Sequence, residues 1–175
     1  MKKLENVFLI GPMGVGKTTV GKVIAEQLKL EFYDSDREIE LLTGADIPWI
    51  FDVEGEEGFR LREIRMIDQL SAKKNIVLAT GGGSVLANEN RNCLRARGLV
   101  IYLRATLAQQ VGRTSRDKSR PLLQTPDPAK RIKELMKIRE PLYLELADII
   151  VDTNRRNPRS VGKEVTKKIK KYLAD

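Results

Sequence analysis

The chain has 175 residues, 41% hydrophobic and 32% charged, a length for one compact domain and a composition that excludes wholesale disorder. One cysteine, Cys93, and no histidine exclude an internal disulfide framework, a cysteine-built zinc site, and histidine as base or ligand. The formal net charge of +8 is uneven: residues 1–94 carry 12 Lys and Arg against 15 Asp and Glu, residues 95–175 carry 20 against 9. Val7-Phe8-Leu9-Ile10 is a short apolar run ending at glycine and predicts a buried strand. A helix follows over about 17–29, then a second strand at Glu31-Phe32-Tyr33-Asp34. Ser35-Asp36-Arg37-Glu38 has the pattern of a capping box opening the next helix. Another helix fits about 56–73, and Ile76 to Thr80 is a third strand stopped by Gly81-Gly82-Gly83. Asn88 to Arg97 fits a short helix closed by Gly98, and Leu99 to Leu103 a fourth strand. Thr106 to Gln109 forms a second capping box, and residues 115–126, polar with two prolines, read as an exposed loop. Pro128 to Leu146 is a long amphipathic stretch with Pro141 inside it, Asp148 to Asp152 a fifth strand, and Arg159 to Leu173 the final helix. Strands alternating with helices predict a parallel sheet covered on both faces, with no linker that would divide the chain.

No run of eighteen apolar residues exists, so no transmembrane helix is predicted, and the short apolar stretch after Met1-Lys2-Lys3 makes a signal peptide unexpected. A reducing cytoplasm is the expected setting. The basic second half suits nucleic acid, an anionic membrane or a small anionic substrate. Within it, Lys163, Lys167, Lys168, Lys170 and Lys171 share a polar helix face opposite Val161, Val165, Ile169 and Tyr172, which reads as solvated. Only 5% of residues are aromatic, and no basic-aromatic interleaving suggests a base-stacking surface. Cys93 reads as a buried small hydrophobe, and Trp49 and Phe51 as packing around a substrate region.

Gly11-Pro12-Met13-Gly14-Val15-Gly16-Lys17-Thr18 matches G-x-x-x-x-G-K-[ST] at every fixed position, after an apolar strand and before a helix. Such a loop points backbone N–H groups at a phosphate, with the helix dipole behind them. Lys17 supplies charge to the β- and γ-phosphates, and the Thr18 hydroxyl is a Mg²⁺ ligand candidate. The acceptor is less apparent. The third strand ends without the Asp that many such proteins use for metal; Asp34-Ser35-Asp36 follow the second strand instead. Strand ends crowd along one edge, so one carboxylate can order Mg²⁺ through water while the other takes the acceptor's proton. Helix capping by Ser35 or Asp36 is the competing reading. On residues alone, Arg60, Arg62 and Arg65 read as a solvated helix face, Gly81-Gly82-Gly83 as a turn, and Arg139 as a surface arginine.

Beyond the loop, the chain resembles the shikimate kinases over nearly its whole length. The resemblance rests on residues 11–18 together with Asp34-Ser35-Asp36, Gly55-Glu-Glu-Gly-Phe59-Arg60-Leu-Arg-Glu63, Gly81-Gly82-Gly83, Arg120-Pro121-Leu122-Leu123, Arg139-Glu-Pro-Leu-Tyr143 and Asp152-Thr-Asn-Arg-Arg156-Asn-Pro158. It implies a P-loop fold of sheet order 2-3-1-4-5 and phosphorylation of the shikimate 3-hydroxyl by ATP with Mg²⁺, a step of aromatic amino-acid biosynthesis. One domain is implied over 1–175, with a substrate region at about 34–61 and a lid at about 112–124. Carried over residue by residue, Gly14, Val15, Gly16, Lys17, Thr18 and Thr19 bind the nucleotide, with Arg113, Arg156 and Pro158 around adenine. Arg120 reaches the phosphates from the lid, and Lys17, Asp36 and Arg120 are the catalytic set. Asp36 contacts shikimate as the base, Arg60 and Arg139 hold its carboxylate, and Gly81, Gly82 and Gly83 line it. Thr18 and, through water, Asp34 serve the metal. The lid residues Arg116 and Lys118 compete with Arg120 for the phosphate role, and Arg155 competes with Arg156 for adenine. A cytoplasmic monomer without nucleic-acid or membrane partners is expected. The alternatives are a kinase of gluconate or of a nucleoside monophosphate, for which two carboxylate-binding arginines have no use, and a nucleotide-dependent nucleic-acid-binding module.

Overall fold

A computed structural model describes residues 3–115, 117–154 and 156–175. Its strands are β1 (Asn6–Ile10), β2 (Glu31–Asp34), β3 (Ile76–Ala79), β4 (Leu99–Arg104) and β5 (Ile149–Asp152). They form one parallel sheet in the order β2-β3-β1-β4-β5. The helices are α1 (Lys17–Leu28), α2 (Ser35–Thr43), α3 (Ile47–Ser71), α4 (Asn88–Arg97), α5 (Leu107–Thr114), α6 (Pro128–Leu146) and α7 (Pro158–Ala174). Alternate residues of a strand leave opposite faces, and the core divides accordingly. Phe8, Ile10, Leu78, Val100 and Tyr102 pack with α2, α3, α4 and α6. Val7, Leu9, Val77, Ile101 and Leu103 pack with α1 and α7. Val161, Val165 and Ile169 are buried in that second layer, which leaves the α7 lysines on the outer face as expected.

Several local expectations change. The cap of α2 is Asp34 rather than Ser35 or Asp36: its Oδ1 accepts from the N–H of Asp36 at 3.0 Å and of Arg37 at 3.1 Å. Helix α3 starts at Ile47, nine residues before the expected Glu56, under an Asp46 cap. Gly55, at φ 73° and ψ 176°, breaks it into two limbs. The absence of a periodic apolar stripe across that break hid the first limb. Gly98 is not a left-handed cap, since its φ is −173°. It is glycine because an added Cβ would lie 2.7 Å from the Phe8 ring and 2.8 Å from the Asn6 carbonyl oxygen. Trp49 is 61% exposed and packs no substrate wall, whereas Phe51 does, its ring centroid 4.9 Å from that of Phe59. Cys93 is half-buried, its thiol 3.6 Å from Asp68 Oδ1. Part of the 115–126 segment is ordered as a 3₁₀ turn at Pro121–Leu123 that buries Leu123. No helix among the described residues is long and apolar enough to cross a membrane.

Candidate active site

Parallel strands put all their carboxyl ends on one edge, and the chain turns there five times. The loop after β1, the Asp34–Asp36 corner after β2, the glycine triplet after β3, residues 105–106 after β4 and the described residues between β5 and α7 lie on that edge, and the segment beyond α5 reaches it through Arg120.

The first turn is the phosphate loop. Gly14 and Gly16 hold φ of 77° and 94°, a region costly for other residues. An added Cβ at Gly14 would also press on the Thr114 side chain at 2.8 Å. Lys17 is buried, its ammonium donating to the carbonyls of Gly11 at 2.7 Å and Pro12 at 2.8 Å. Burial, reinforced by the Arg120 guanidinium, pulls it down to about 7 against the pull of Asp36 and Asp34. The Thr18 hydroxyl bonds Asp34 Oδ2, while Oδ1 of the same carboxylate caps α2. Capping and facing the loop are thus one residue's two tasks, not alternatives.

Two cavities meet over this loop. One, of about 750 Å³, runs over Gly14, Gly16, Lys17, Thr18 and Thr19 to Arg113. The other, of about 260 Å³, is walled by Arg60, Arg139 and Glu63, by Gly81, Gly82 and Gly83, and by Phe51 and Phe59. Asp36, Glu40, Met13, Gly81, Gly82 and Arg120 border both. A third, of about 270 Å³, joins the loop to Arg113, Arg156 and Pro158. There Arg113 donates to the carbonyls of Gly14 at 3.2 Å and Val15 at 2.9 Å. The Arg156 guanidinium is drawn onto Glu164 of α7. Arg120 Nε lies 2.8 Å from Asp117 Oδ2, three residues earlier in the same segment. Lys118 is exposed and borders none of the three cavities; Arg116 and Arg155 lie outside the described residues.

The smaller cavity gathers charge that the sequence scatters. Arg60 comes from the second limb of α3 and Arg139 from α6. Glu63, one turn beyond Arg60, accepts from its Nη1 at 2.9 Å and is 1% exposed. Burial pushes the Glu63 carboxyl up, against both arginines. Burial likewise lowers Arg139, while the Glu63 and Glu56 ion pairs outweigh burial at Arg60 and raise it. Asp36 is pushed up to about 7, first by burial and then by Glu63 and Asp34. Asp36 Oδ1, Glu63 Oε2 and the Nε atoms of Arg60 and Arg139 are buried without hydrogen-bond partners among the described residues. Polar atoms so placed favour a ligand that carries both anionic and hydroxyl groups. The glycines make room: a Cβ at Gly81 would lie 2.9 Å from Asp36 Oδ1, and one at Gly83 would press into the Arg60 guanidinium.

Every site residue expected from the sequence, among those described, borders one of these three cavities. Sequence reasoning gave no role to Glu63, although its spacing from Arg60 was a signal. It also passed over Glu40, whose carboxylate accepts from the Ile47 N–H at 3.1 Å and ties α2 to α3. Met13 and Phe59 carried no polar signature that would mark them as wall, whereas Phe51 was expected to pack around the substrate region and lines it.

The family model described as Shikimate kinase matches residues 13–171. The shikimate kinase of Pseudomonas syringae pv. syringae is 57% identical over 162 residues, 93% of this chain and 94% of that one. A solved structure of shikimate kinase from Acinetobacter baumannii in complex with shikimate superposes with a TM-score of 0.97 at 47% identity, over 99% of this chain and 97% of that one. A gluconokinase from Sinorhizobium meliloti superposes with a TM-score of 0.60 at 14% identity, over 99% of this chain and 96% of that one, a likeness of fold alone. A family match from Met13 of the phosphate loop through both arginines, with more than half identity over 94% of a relative, leaves one conclusion: the chain belongs to the shikimate kinase family.

Proposed function

We propose that the larger cavity takes ATP, that the smaller takes shikimate, and that the phosphoryl group crosses where they meet. The observation that carries this reading is the position of Asp36 on the border of both cavities, with Arg60 and Arg139 on the wall of the smaller alone. Two guanidinium forks suit the carboxylate of shikimate. With that end held, a ring hydroxyl falls to Asp36. Asp36 accepts the proton of the 3-hydroxyl as the hydroxyl oxygen bonds the γ-phosphorus, and the bond from that phosphorus to the β-phosphate oxygen breaks to give ADP. A carboxylate raised to about 7 is matched to that task near neutral pH. Lys17 and Arg120 neutralise the phosphate oxygens, Arg120 from a segment at about 112–124 that serves as lid.

Thr18 and Asp34 offer hard oxygen donors in contact beside the loop, a set that fits Mg²⁺. Thr18 would hold it directly and Asp34 through water; when bound it neutralises charge on the β- and γ-phosphates. Arg113, Arg156 and Pro158 flank adenine. A monomer in a reducing cytoplasm completes the reading, a compartment that the single cysteine suits.

A coupled ADP-release assay with ATP and Mg²⁺ tests this over shikimate, gluconate and nucleoside monophosphates. ADP release with shikimate alone is expected. Turnover of gluconate or a nucleotide without shikimate overturns it.

A further inference from the structure

Tyr143 carries no charge into the site, yet it touches both halves of the acceptor wall. It stands four residues beyond Arg139 on α6, on the same helix face. It is wholly buried and stacks on Tyr102 of β4, with ring centroids 5.0 Å apart and an interplanar angle of 28°. Its hydroxyl donates to the Gly82 carbonyl oxygen at 2.5 Å. The Arg139 charge acts on the same phenol and opposes the effect of burial there. An added Cβ at Gly82 would sit 3.5 Å from Arg139 Nη1, so backbone and guanidinium are neighbours there.

The glycine triplet has no side chains of its own to fix its peptide planes, and glycine is the residue freest to rotate them. A trans peptide is rigid, with its C=O and N–H pointing in opposite directions. A bond that anchors the Gly82 carbonyl therefore also aims the Gly83 N–H away from Tyr143. Burial pushes the phenol up to about 12, so its hydroxyl stays a donor at every working pH.

We propose that Tyr143 is a positioning residue for acceptor binding: its hydroxyl fixes the Gly82–Gly83 peptide and sets it against the Arg139 guanidinium. The backbone and side-chain halves of the wall then keep one geometry before the acceptor arrives. This rests on the assignment of the smaller cavity to shikimate. Tyr102 supplies the contrast. Its hydroxyl is buried without a hydrogen-bond partner among the described residues, so its ring supports the stack and its oxygen anchors nothing.

The test compares Tyr143→Phe with Tyr102→Phe, both of which keep the stack. Steady-state kinetics are measured against each substrate, with thermal midpoints alongside. Tyr143→Phe is expected to raise the shikimate KM about tenfold, with kcat and the ATP KM within about twofold of the parent, because a pre-set wall acts on binding. Tyr102→Phe is expected to leave all three within about twofold. 4-Aminophenylalanine at position 143 returns a weaker donor to the same place and is expected to give an intermediate shikimate KM. It decides the matter alone should Tyr143→Phe not fold. The proposal is overturned if the shikimate KM of Tyr143→Phe stays within twofold. It is also overturned if both KM values rise together, or if kcat falls only in step with the thermal midpoint. A parent enzyme that turns over no shikimate sinks the acceptor assignment itself, before any variant is compared.

Discussion

Arg60 and Arg139 reach the same small cavity from α3 and α6, and they do so in different states of charge balance. Arg60 is paired with Glu63 at 2.9 Å and with Glu56 at 3.3 Å. Arg139 is 3% exposed, has no ion pair among the described residues and is lowered by burial. A buried guanidinium without a carboxylate gains most from an anionic ligand. Replacement by lysine keeps the charge but loses the planar fork. Arg139→Lys is therefore expected to cost about 1.5–3 kcal/mol in kcat/KM for shikimate, the range of a hydrogen bond to a charged group. Arg60→Lys is expected to cost less, since its acidic partners still position a lysine. The ATP KM should stay within about twofold for both. Steady-state kinetics on the two variants decide it; an Arg139→Lys enzyme that loses ATP affinity and keeps shikimate affinity belongs to the nucleotide site instead. At this scale the sequence was readable where chemistry concentrates in a short motif, as in residues 11–18. It was unreadable where function is collective. Glu63 becomes notable only when packing buries it between two arginines beside Asp36, and the apolar wall residue Phe59 looks like any core.

Helix α3 joins a pocket wall to a core buttress, and the joint is Gly55. Its first limb brings Ile47, Pro48 and Phe51 to the smaller cavity, and its second carries Arg60 and Glu63 and packs Met66, Ile67 and Leu70 into the core. Beyond its own helix backbone, no atom of the described residues lies within 4 Å of a Cβ built at Gly55, so its φ of 73° is what opposes a side chain there. Gly98 is the converse: its φ suits any residue, and its space suits none. Gly55→Ala and Gly98→Ala are each expected to cost about 1–3 kcal/mol of stability, one through backbone strain and the other through overpacking. They part in kinetics. Gly55→Ala shifts a wall of the acceptor cavity and should raise the shikimate KM, while Gly98 lies at the opposite end of the sheet and its variant should leave KM unchanged. Denaturant titration and kinetics on the pair check both claims, and a normal KM in Gly55→Ala would show that the two limbs do not move together. Sequence periodicity found the second limb and missed the first. A 3.6-residue stripe stays in phase only along one axis, and a glycine with such a φ resets it. The capping box at Thr106 was found because it lies wholly within four residues.

Across the whole molecule, the parallel sheet follows from the alternation of short apolar runs with amphipathic helices, and the site follows from the sheet's carboxyl edge. What composition could not convey is how much unfavourable charge that edge buries. Asp36 binds its proton more tightly folded, at about 7, than at the ordinary 3.8. The fold therefore loses stability as pH rises from about 4 to about 7, and the loss stays in full above that. Lys17 has the opposite sign of shift, about 7 against 10.5, so its penalty is complete below about 7 and fades as pH rises towards 10.5. Near neutral pH both penalties stand close to their maximum, at the two groups to which the proposed reaction gives the proton and the phosphate. Asp36→Asn removes one of them. Its turnover is expected to fall at least about a hundredfold for want of a proton acceptor. Its stability is expected to rise by as much as a few kcal/mol at pH 8, or several degrees in thermal midpoint for a chain of this length. Glu63 and Asp34 face Asp36 with like charge and enlarge the gain, while the loss of attraction to Lys17 and Arg60 reduces it. The gain should shrink at pH 5, where the folded parent already carries the proton on Asp36, and vanish near pH 4. Thermal scans of parent and variant at pH 4, 5 and 8 make the comparison. A gain of equal size at all three would trace it to repacking rather than to charge, and would remove the case for a raised carboxyl as the base.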